Sequence, residues 1–415
     1  MKKIFLTCVF FATPIAAQAA GFALIEQNAS GMGNAYAGGS AIAEDASTIF
    51  FNPAGMTYIQ GTQAVGALHL INPNAEFKDK GSIAGNLPGP APARPLGGEG
   101  PNGGDLAFVP NFYFKMDLTD SVKLGVGVNA PFGLKTEYDR KWVGRFQANK
   151  SEVKTININP SIAFKVNDQL ALGFGVSVMR AEATLSRAVN VGLAESKVEI
   201  KGDDWGYGFN LGAIFQATAD TRIGMAYRSK VKQELEGRAK FSAPLVAAST
   251  NVTAKVDLPE NFSLSAFSKL NDKWDLMGDV TWTRWNRFEE LRVLRKNGTT
   301  LTFTPENWEN TMRYSVGMNY LYSDAIKLRA GLAYDEEAIK NEFRTARIPG
   351  NDRKWLSLGA SYVMSPQSKF DVGYAHLFIS DASIDDNQIA KGNGRLRGDF
   401  EGSVDILSMQ YTHNF

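Results

Sequence analysis

Residues 169–179 read QLALGFGVSVM, and the alternation in this stretch decides the fold of the chain. Every even position carries a large apolar residue, whereas the odd positions before Met179 are small or polar. Because successive side chains of a β-strand point to opposite faces, the stretch predicts a strand with one apolar face. Its length, about 10 residues, is what a tilted strand needs to cross a membrane.

The same pattern recurs at residues 122–130 and 325–334, where Lys327 and Arg329 share a face with Gly331. A β-sandwich also alternates, but its strands are shorter and rarely repeat Lys and Arg on the face that carries Gly. Beyond the first residues we find no apolar run of about 18 residues, which argues against a helical membrane span. The pattern therefore favours a transmembrane barrel with its apolar face turned outward.

Short breaks rich in Asp, Asn and Ser separate the alternating runs, and longer polar segments join the opposite ends of the strands. Short turns on one side and long loops on the other are typical of outer-membrane barrels. With both chain ends on the periplasmic side, six short turns predict an all-β, antiparallel barrel of fourteen strands over residues 61–415. We expect the segment around residues 73–104, which contains LPGPAP at 87–92, to be an extracellular loop. The six breaks are residues 118–120, 167–168, 219–221, 271–273, 323–324 and 365–367.

The first sixty residues differ from the rest of the chain. Residues 1–19 contain Lys2 and Lys3, an apolar run and a small-residue site at 17–19, which predict a signal peptide. Residues 20–60 are rich in Gly and Ala and lack both helical and strand periodicity, so we expect them to form a hatch that plugs the lumen.

Composition excludes several classes of function. The only cysteine, Cys8, lies in the predicted signal peptide, so we expect no disulfide or thiol chemistry in the mature chain. Removing Lys2 and Lys3 takes the 44 basic residues to 42, against 43 acidic ones, and this near-neutral balance makes nucleic acid an unfavourable partner. No metal cluster, phosphate loop or dinucleotide motif stands out, so we expect no metal and no cofactor.

The final residues alternate and end in Phe415, with His413 where an apolar residue is usual. A C-terminal aromatic residue after such a strand resembles the signal read by the barrel-assembly machinery, which we expect as a partner beside outer-membrane lipid. Four tryptophans near strand ends are expected to lie in the aromatic girdles at the membrane surface: Trp274, Trp282, Trp285 and Trp355.

Several motifs resemble the FadL-type long-chain fatty acid transporters, and the resemblance covers essentially the whole mature chain. It implies a monomeric barrel in the outer membrane of a Gram-negative bacterium. It also implies that apolar loops capture the substrate, which then binds in the lumen and leaves sideways between strands. The motifs are GMGNAY (31–36), AIAED (41–45), NPA (52–54), PFGL (131–134), NINPS (157–161), LPE (258–260) and IPGNDR (348–353).

The resemblance assigns the lateral opening to Pro131, Phe132 and Gly133. Proline cannot donate to a β-ladder, so Pro131 either kinks its strand and opens the wall or simply starts a loop. In the hatch, Asn52, Pro53 and Ala54 are assigned to gating. Read alone, the same three residues fit an ordinary turn, in which Asn favours turn entry and Pro fixes the next φ.

A fatty acid needs an apolar tunnel and a cation for its carboxylate. The resemblance implies that Phe22 reaches the binding pocket and that Arg187 contacts the head group. A lumenal arginine paired with an interior carboxylate is the alternative for Arg187. Two positions depart from the family: Thr304 stands near its partner lysine, and Ala130 stands where a pocket serine occurs.

Trp142, Val143 and Phe146 follow the predicted kink as an amphipathic patch, which either captures substrate or packs the loop down. Other functions are less well supported. An aromatic hydrocarbon needs no cation, so Arg187 favours fatty acids, although Thr304 does not. A general diffusion porin would lack a hatch. An enzyme would need a Ser/His pair, and the three histidines, His69, His376 and His413, offer none at suitable spacing.

Overall fold

The computed structural model describes residues 21–85, 94–100, 102–191 and 194–415. The predicted signal peptide and the whole proline-rich stretch at 87–92 lie outside these residues. None of the helices in the described ranges is long and apolar enough to cross a membrane. The helices are α1 (Ala29–Met32), α2 (Thr48–Phe51) and five 3-10 helices at Pro53–Tyr58, Val246–Ala248, Trp285–Arg287, Asn341–Phe343 and Ile389–Lys391.

Twenty β-strands form one antiparallel sheet, which closes because β1 pairs with both β2 and β20. The strands are β1 (Gln63–Asp79), β2 (Ala107–Asp117), β3 (Val122–Asn129), β4 (Gly133–Glu137), β5 (Lys150–Lys165), β6 (Leu170–Val191), β7 (Ala194–Gln216), β8 (Thr221–Arg228), β9 (Val231–Phe241), β10 (Thr250–Leu258), β11 (Asn261–Lys269), β12 (Trp274–Thr283), β13 (Glu290–Arg295), β14 (Thr300–Pro305), β15 (Thr311–Leu321), β16 (Ile326–Asp335), β17 (Arg353–Ser365), β18 (Ser368–Ile379), β19 (Ala382–Gln388) and β20 (Gly394–Asn414).

The closed wall contains fourteen barrel strands, as predicted. Six of them are interrupted, and each of these six consists of two consecutive elements of the described chain that follow one another along the same barrel strand, so twenty elements give fourteen barrel strands. The interrupted barrel strands are β3–β4, β8–β9, β10–β11, β12–β13, β14–β15 and β18–β19.

The two faces of the wall follow the predicted alternation. On β6, Leu172, Phe174 and Val176 are exposed on the outside, and the small residues between them are buried inside. On β16, Leu328 and Leu332 face outward while Arg329 faces the lumen. An apolar exterior and a polar interior are the faces that a barrel in lipid requires.

All six short breaks are tight turns at one end of the barrel, where they join β2 to β3, β5 to β6, β7 to β8, β11 to β12, β15 to β16 and β17 to β18. The girdle prediction is wrong for two of the four tryptophans. Trp285 and Trp355 are buried inside the barrel, whereas Trp274 is exposed and its ring centroid lies 4.5 Å from that of Tyr320.

The segment before β1 lies against inward-facing wall residues. Glycines in the wall allow its backbone to approach closely, because a Cβ at Gly173 would overlap the backbone of Ala54 and one at Gly331 would overlap that of Asn34. Asn34 also donates to the side chain of Asn319 at 2.6 Å. The lumen at this level is therefore filled by the N-terminal segment.

A cluster of charges fixes this segment to the wall. Oε1 of Glu44 lies 3.0 Å from Lys327, 2.7 Å from Arg329 and 3.2 Å from Lys369. Arg329 also pairs with Asp371 at 2.9 Å, and both of these side chains are 0% exposed. Three wall cations thus share one carboxylate of the N-terminal segment, and its loss would leave them crowded around Asp371 alone.

We expect Glu44→Gln to destabilise the protein by about 3 kcal/mol, because one partner of a buried ion cluster is removed. The loosened segment should also raise the ion conductance of single molecules in planar bilayers. Urea unfolding in lipid vesicles measures the first effect. Glu76→Gln is the matched control, because its 3.5 Å pair with Lys78 is exposed and should contribute less than about 1 kcal/mol. Unchanged conductance and stability in Glu44→Gln would contradict this role.

Candidate functional site

The wall is interrupted at Pro131. β3 pairs with β5 up to Asn129↔Asn157, and the pairing resumes at Gly133↔Lys154. The extra residue on the β3–β4 side is a bulge, so the inward face changes from odd positions to even ones. β2 pairs with β3 but has no ladder pairing with β4 in the described residues, which leaves its residues 107–111 unpaired on that side.

The start of the described chain fills this break. The amide of Leu24 donates to the carbonyl of Pro131 at 2.8 Å, and the amide of Gly133 donates to the carbonyl of Phe22 at 2.9 Å. Asn111 Nδ2 donates to the carbonyl of Glu26 at 2.8 Å. Polar backbone groups beside lipid must be satisfied within the protein, and here the N-terminal segment supplies the partners that a neighbouring strand would otherwise provide.

Pro131, Phe132 and Gly133, predicted as the lateral opening, therefore lie at a real interruption of the wall. Whether the interruption opens stays a prediction. Ala130 is buried in the same interruption, where its carbonyl accepts from Gln27 Nε2 at 3.1 Å. It borders none of the cavities described below, so its predicted contact with ligand is not tested.

Phe22 is the centre of an aromatic cluster inside the barrel. Its ring centroid lies 4.9 Å from Trp285, 5.8 Å from Trp308, 5.9 Å from Phe288 and 6.0 Å from Phe132. Edge-to-face and tilted pairs at these distances are favourable beyond the area that they bury. We call these five residues the aromatic cluster.

Three members of the aromatic cluster were missed by the sequence analysis. Trp285 and Phe288 lie where β12 ends and a 3-10 helix turns the chain inward, and Trp308 lies between β14 and β15. Glu260 holds this inward turn, since it accepts from Arg287 Nη2 at 2.6 Å and from Arg284 Nη1 at 3.3 Å. The loss of alternation after Thr283 is the one feature of the sequence that indicates the end of the regular strand before Trp285 and Phe288.

An apolar cavity of about 940 Å³ lies against the aromatic cluster, with Phe22 and Phe288 in its wall. Most of the wall comes from inward-facing aliphatic residues of seven strands, among them Leu134, Val153, Leu185, Ile200, Leu235, Val256 and Val293.

A second cavity, of about 1390 Å³, adjoins the apolar cavity, and the two share Leu185, Ile200, Leu291 and Arg347. Arg187 and Thr304 both line this outer cavity, so the structure brings together the two positions that the family resemblance connects. Its other polar wall residues include Gln147, Gln388, Lys391 and Asn393.

Two guanidinium groups line the outer cavity, and that of Arg347 lies at its junction with the apolar cavity; neither has a carboxylate within ion-pair distance in the described residues. Arg187 donates only to the carbonyl of Ala188, at 3.2 Å. Arg347 donates to the carbonyls of Lys150 and Gln147 and to Ser151 Oγ, at 3.0–3.1 Å. Burial, and then the positive charge of Arg187, lowers the pKa of Arg347 to about 10. An anion placed here would relieve both effects.

Arg347 was missed by the sequence analysis. It directly precedes the IPGNDR motif in the connection between β16 and β17, and no pattern in the sequence shows that this connection folds into the lumen. Thr136 Oγ1 fixes it there by donating to the Arg347 carbonyl at 3.0 Å. Arg347 thus lies beside Arg187 in the cavity that Thr304 also lines. Thr304 is the position near which the family resemblance implies a lysine.

A third cavity, of about 1050 Å³, lies on the other side of the aromatic cluster. Its wall includes Trp285, Pro131 and Phe132 together with Leu24 of the N-terminal segment, so it reaches the break in the barrel wall. The aromatic cluster therefore separates the apolar cavity from the space next to the break.

The three residues expected to capture substrate are buried. Trp142 stacks on Tyr138 with centroids 4.1 Å apart, and Phe146 packs under the guanidinium of Arg145 at 4.7 Å. Val143 lies in the same packed cluster as Trp142. In this conformation they do not form an open groove, and their role in capture stays a prediction.

The Asn52-Pro53-Ala54 motif docks the N-terminal segment on the wall. Asn52 Nδ2 donates to the carbonyls of Ser40 at 2.7 Å and Ala213 at 3.0 Å, and its Oδ1 accepts from the Ala54 amide at 3.1 Å. Pro53 is the first residue of the 3-10 helix, where a missing amide costs nothing. The motif is thus a buried anchor, and its part in gating is untested.

The sequence and structure can be compared with known proteins. A family model described as "Outer membrane protein transport protein (OMPP1/FadL/TodX)" matches residues 10–415. The chain is 32% identical over 397 residues to outer membrane protein P1 of Haemophilus influenzae, which covers 87% of this chain and 86% of that protein. It is 28% identical over 400 residues to a long-chain fatty acid transport protein of Escherichia coli, covering 87% of each.

Solved structures of similar fold include transport proteins. A Pseudomonas aeruginosa FadL homologue matches with a TM-score of 0.89 and 27% identity, covering 95% of this chain and 100% of that one. The toluene transporter TbuX of Ralstonia pickettii shares the fold, with a TM-score of 0.68 and 19% identity over 94% of this chain and 98% of its own.

We expect Asn52→Ala to loosen the N-terminal segment, because it leaves the buried carbonyls of Ser40 and Ala213 without their donor at a cost of about 1–3 kcal/mol. Limited trypsin digestion in detergent should then cleave this segment earlier than in the wild type. Thr57→Ala serves as the control, since it removes one partly buried bond in the same segment. An unchanged digestion pattern in Asn52→Ala would show that the anchor lies elsewhere.

Proposed function

Since the chain belongs to the OMPP1/FadL/TodX family of outer-membrane transport proteins, we propose that it takes up long-chain fatty acids and holds their carboxylate with Arg187 and Arg347. The protein is an outer-membrane β-barrel transporter of hydrophobic compounds and not an enzyme. The choice of a fatty acid as substrate is the step that we propose.

One observation carries the proposal: two guanidinium groups without carboxylate partners lie at the mouth of an apolar cavity. A charge-assisted bond from Arg to a carboxylate is about twice as strong as a neutral hydrogen bond, and it can be bidentate. A neutral hydrocarbon would leave both guanidinium groups without an anion. The amphipathic shape of a fatty acid fits this pair of cavities, with its head at Arg187 and Arg347 and its tail among the aliphatic residues.

Uptake of aromatic or other neutral hydrophobic compounds is the second candidate. A relative in Escherichia coli is called a long-chain fatty acid transport protein, and the structural neighbour TbuX is called a toluene transporter. The apolar cavity with its aromatic floor would accept toluene as readily as an acyl chain. The cation pair is what favours the acid.

In the proposed route, the substrate passes from the outer cavity into the apolar cavity and reaches the third cavity when the aromatic cluster moves. It then leaves sideways through the break at Pro131–Gly133 into outer-membrane lipid. Trp142, Val143 and Phe146 would act in first capture. We further propose that the protein works as a monomer and that Phe415 serves its insertion by the barrel-assembly machinery.

We expect Arg187→Leu and Arg347→Leu each to weaken oleate binding about tenfold or more, because each removes one charge-assisted bond. Toluene binding should stay unchanged. Calorimetry on the purified protein measures binding, and uptake of radiolabelled oleate and xylene by cells lacking their own transporter measures transport. Arg395→Leu is the control, since that exposed arginine pairs with Asp385.

Oleate uptake that is unchanged by both substitutions would contradict the assignment of the head-group site but would still support fatty acid transport. Xylene uptake without oleate uptake would select the second candidate. Uptake of neither, together with an open-pore conductance, would favour a general diffusion porin.

The lateral route predicts that a disulfide between positions 23 and 132 blocks transport reversibly. Ala23 and Phe132 form an antiparallel bridge, a pairing close enough for a disulfide. The mature chain has no other cysteine, so Ala23→Cys with Phe132→Cys gives a single defined crosslink. Oleate uptake should be lost on oxidation and restored by reductant.

A second crosslink controls for disulfides as such. Ala75→Cys with Gly402→Cys joins paired residues of the intact β1–β20 ladder and should leave uptake unchanged. Full uptake by the oxidised 23–132 variant would exclude exit through this break.

A further inference from the structure

Most of the apolar cavity wall is aliphatic, but Glu306 belongs to it. This side chain follows β14 and is 4% exposed. Its Oε2 accepts from Trp308 Nε1 at 3.1 Å, and its Oε1 has no hydrogen bond in the described residues. A carboxyl group in an apolar cavity wall with one oxygen left without a partner is uncommon, because an unpaired polar group in such surroundings destabilises the folded state.

A second polar group in the same wall is also underpaired. Gln233 on β9 is 2% exposed, and its Nε2 reaches the carbonyl of Met179 only at 3.5 Å. Its Oε1 is buried without a partner. The other polar wall residues are accounted for: Ser151 binds Arg347, while Glu182 and Lys201 belong to the exposed outer face.

Glu306 forms no ion pair with Arg187 or Arg347 in the described residues, although the charge of Arg347 acts on it. Burial nevertheless raises the pKa of Glu306 to about 8, which favours the protonated carboxyl group near neutral pH. The Trp308 N–H occupies one oxygen, and the other offers both a donor and an acceptor toward the cavity. A neutral group of this kind matches a neutral ligand group that also donates and accepts.

We infer that the apolar cavity is built for an acyl chain that carries a hydroxyl group part-way along it, bound by Glu306. This rests on the proposed function, because the carboxylate at Arg187 and Arg347 places the chain in the cavity. A hydroxyl group is small, neutral and both donor and acceptor. An amine would be repelled by the two guanidinium groups, and a second carboxylate would be buried in the aliphatic wall without a cation.

The test compares 12-hydroxystearate with stearate by calorimetry on the full-length protein in detergent. The wild type should bind the hydroxy acid about tenfold more tightly, as expected for one added hydrogen bond to a group that is already desolvated. Glu306→Leu should bind both acids equally.

Two variants separate ligand binding from support of the aromatic cluster. Glu306→Gln keeps a donor and an acceptor, so the preference for the hydroxy acid should survive. Trp308→Phe removes the indole N–H but keeps a ring beside Phe22, and it should also retain the preference. Loss of the preference in Trp308→Phe would mean that Glu306 acts only through the indole, and the inference would fall.

Different outcomes test the hydroxyl site at Glu306 and the proposed binding of fatty acids. Stearate binding that depends on Arg187 and Arg347, without any preference for the hydroxy acid, would overturn the inference alone. A preference that persists in Glu306→Leu would do the same. Binding of neither acid to the wild type would overturn both.

Discussion

The structure depends on one constraint: a backbone amide or carbonyl that faces hydrocarbon must find its partner within the protein. Closure of β1 on β20 meets this demand around the wall. At Pro131 the ladder fails, and the chain supplies Phe22, Leu24 and Glu26 to pair with the open strand edges. The N-terminal segment is therefore a structural part of the wall, and any movement of it away from the break would expose polar backbone groups.

The interior obeys a different rule, because charges there lie away from water and need partners. Most have them, as in the cluster of Glu44 with three wall cations. Arg187 and Arg347 have no carboxylate within ion-pair distance in the described residues, and in the proposed function a fatty-acid carboxylate supplies the missing anion. Burial raises the pKa of Glu306, which favours its neutral form.

The fold could be predicted from the sequence because alternation and turn spacing are local properties. The alternation in runs such as 169–179 predicts which face of a strand contacts lipid, and the six short breaks predict the number of strands. The family resemblance led to Arg187 in the same way, by odd parity along an unbroken strand. Prediction failed outside the regular strands: Trp285 was expected in the girdle, and nothing in the sequence indicated a role for Arg347. Their inward turns depend on distant contacts, those of Glu260 with Arg287 and of Thr136 with the Arg347 carbonyl, which carry no periodic signal.

The bulges have a consequence for how such a protein can diverge. At residues 130–132, 229–230 and 259–260 the inward face of three interrupted barrel strands switches parity, whereas β6 and β7 pair in one register along their whole length. The N-terminal segment lies mainly below these positions, and the aliphatic pocket lies above them. Substitutions or length changes above these positions on the interrupted strands leave the alternation below them intact. Related proteins can therefore change the shape of the interior pocket without changing the membrane-spanning part of the barrel wall.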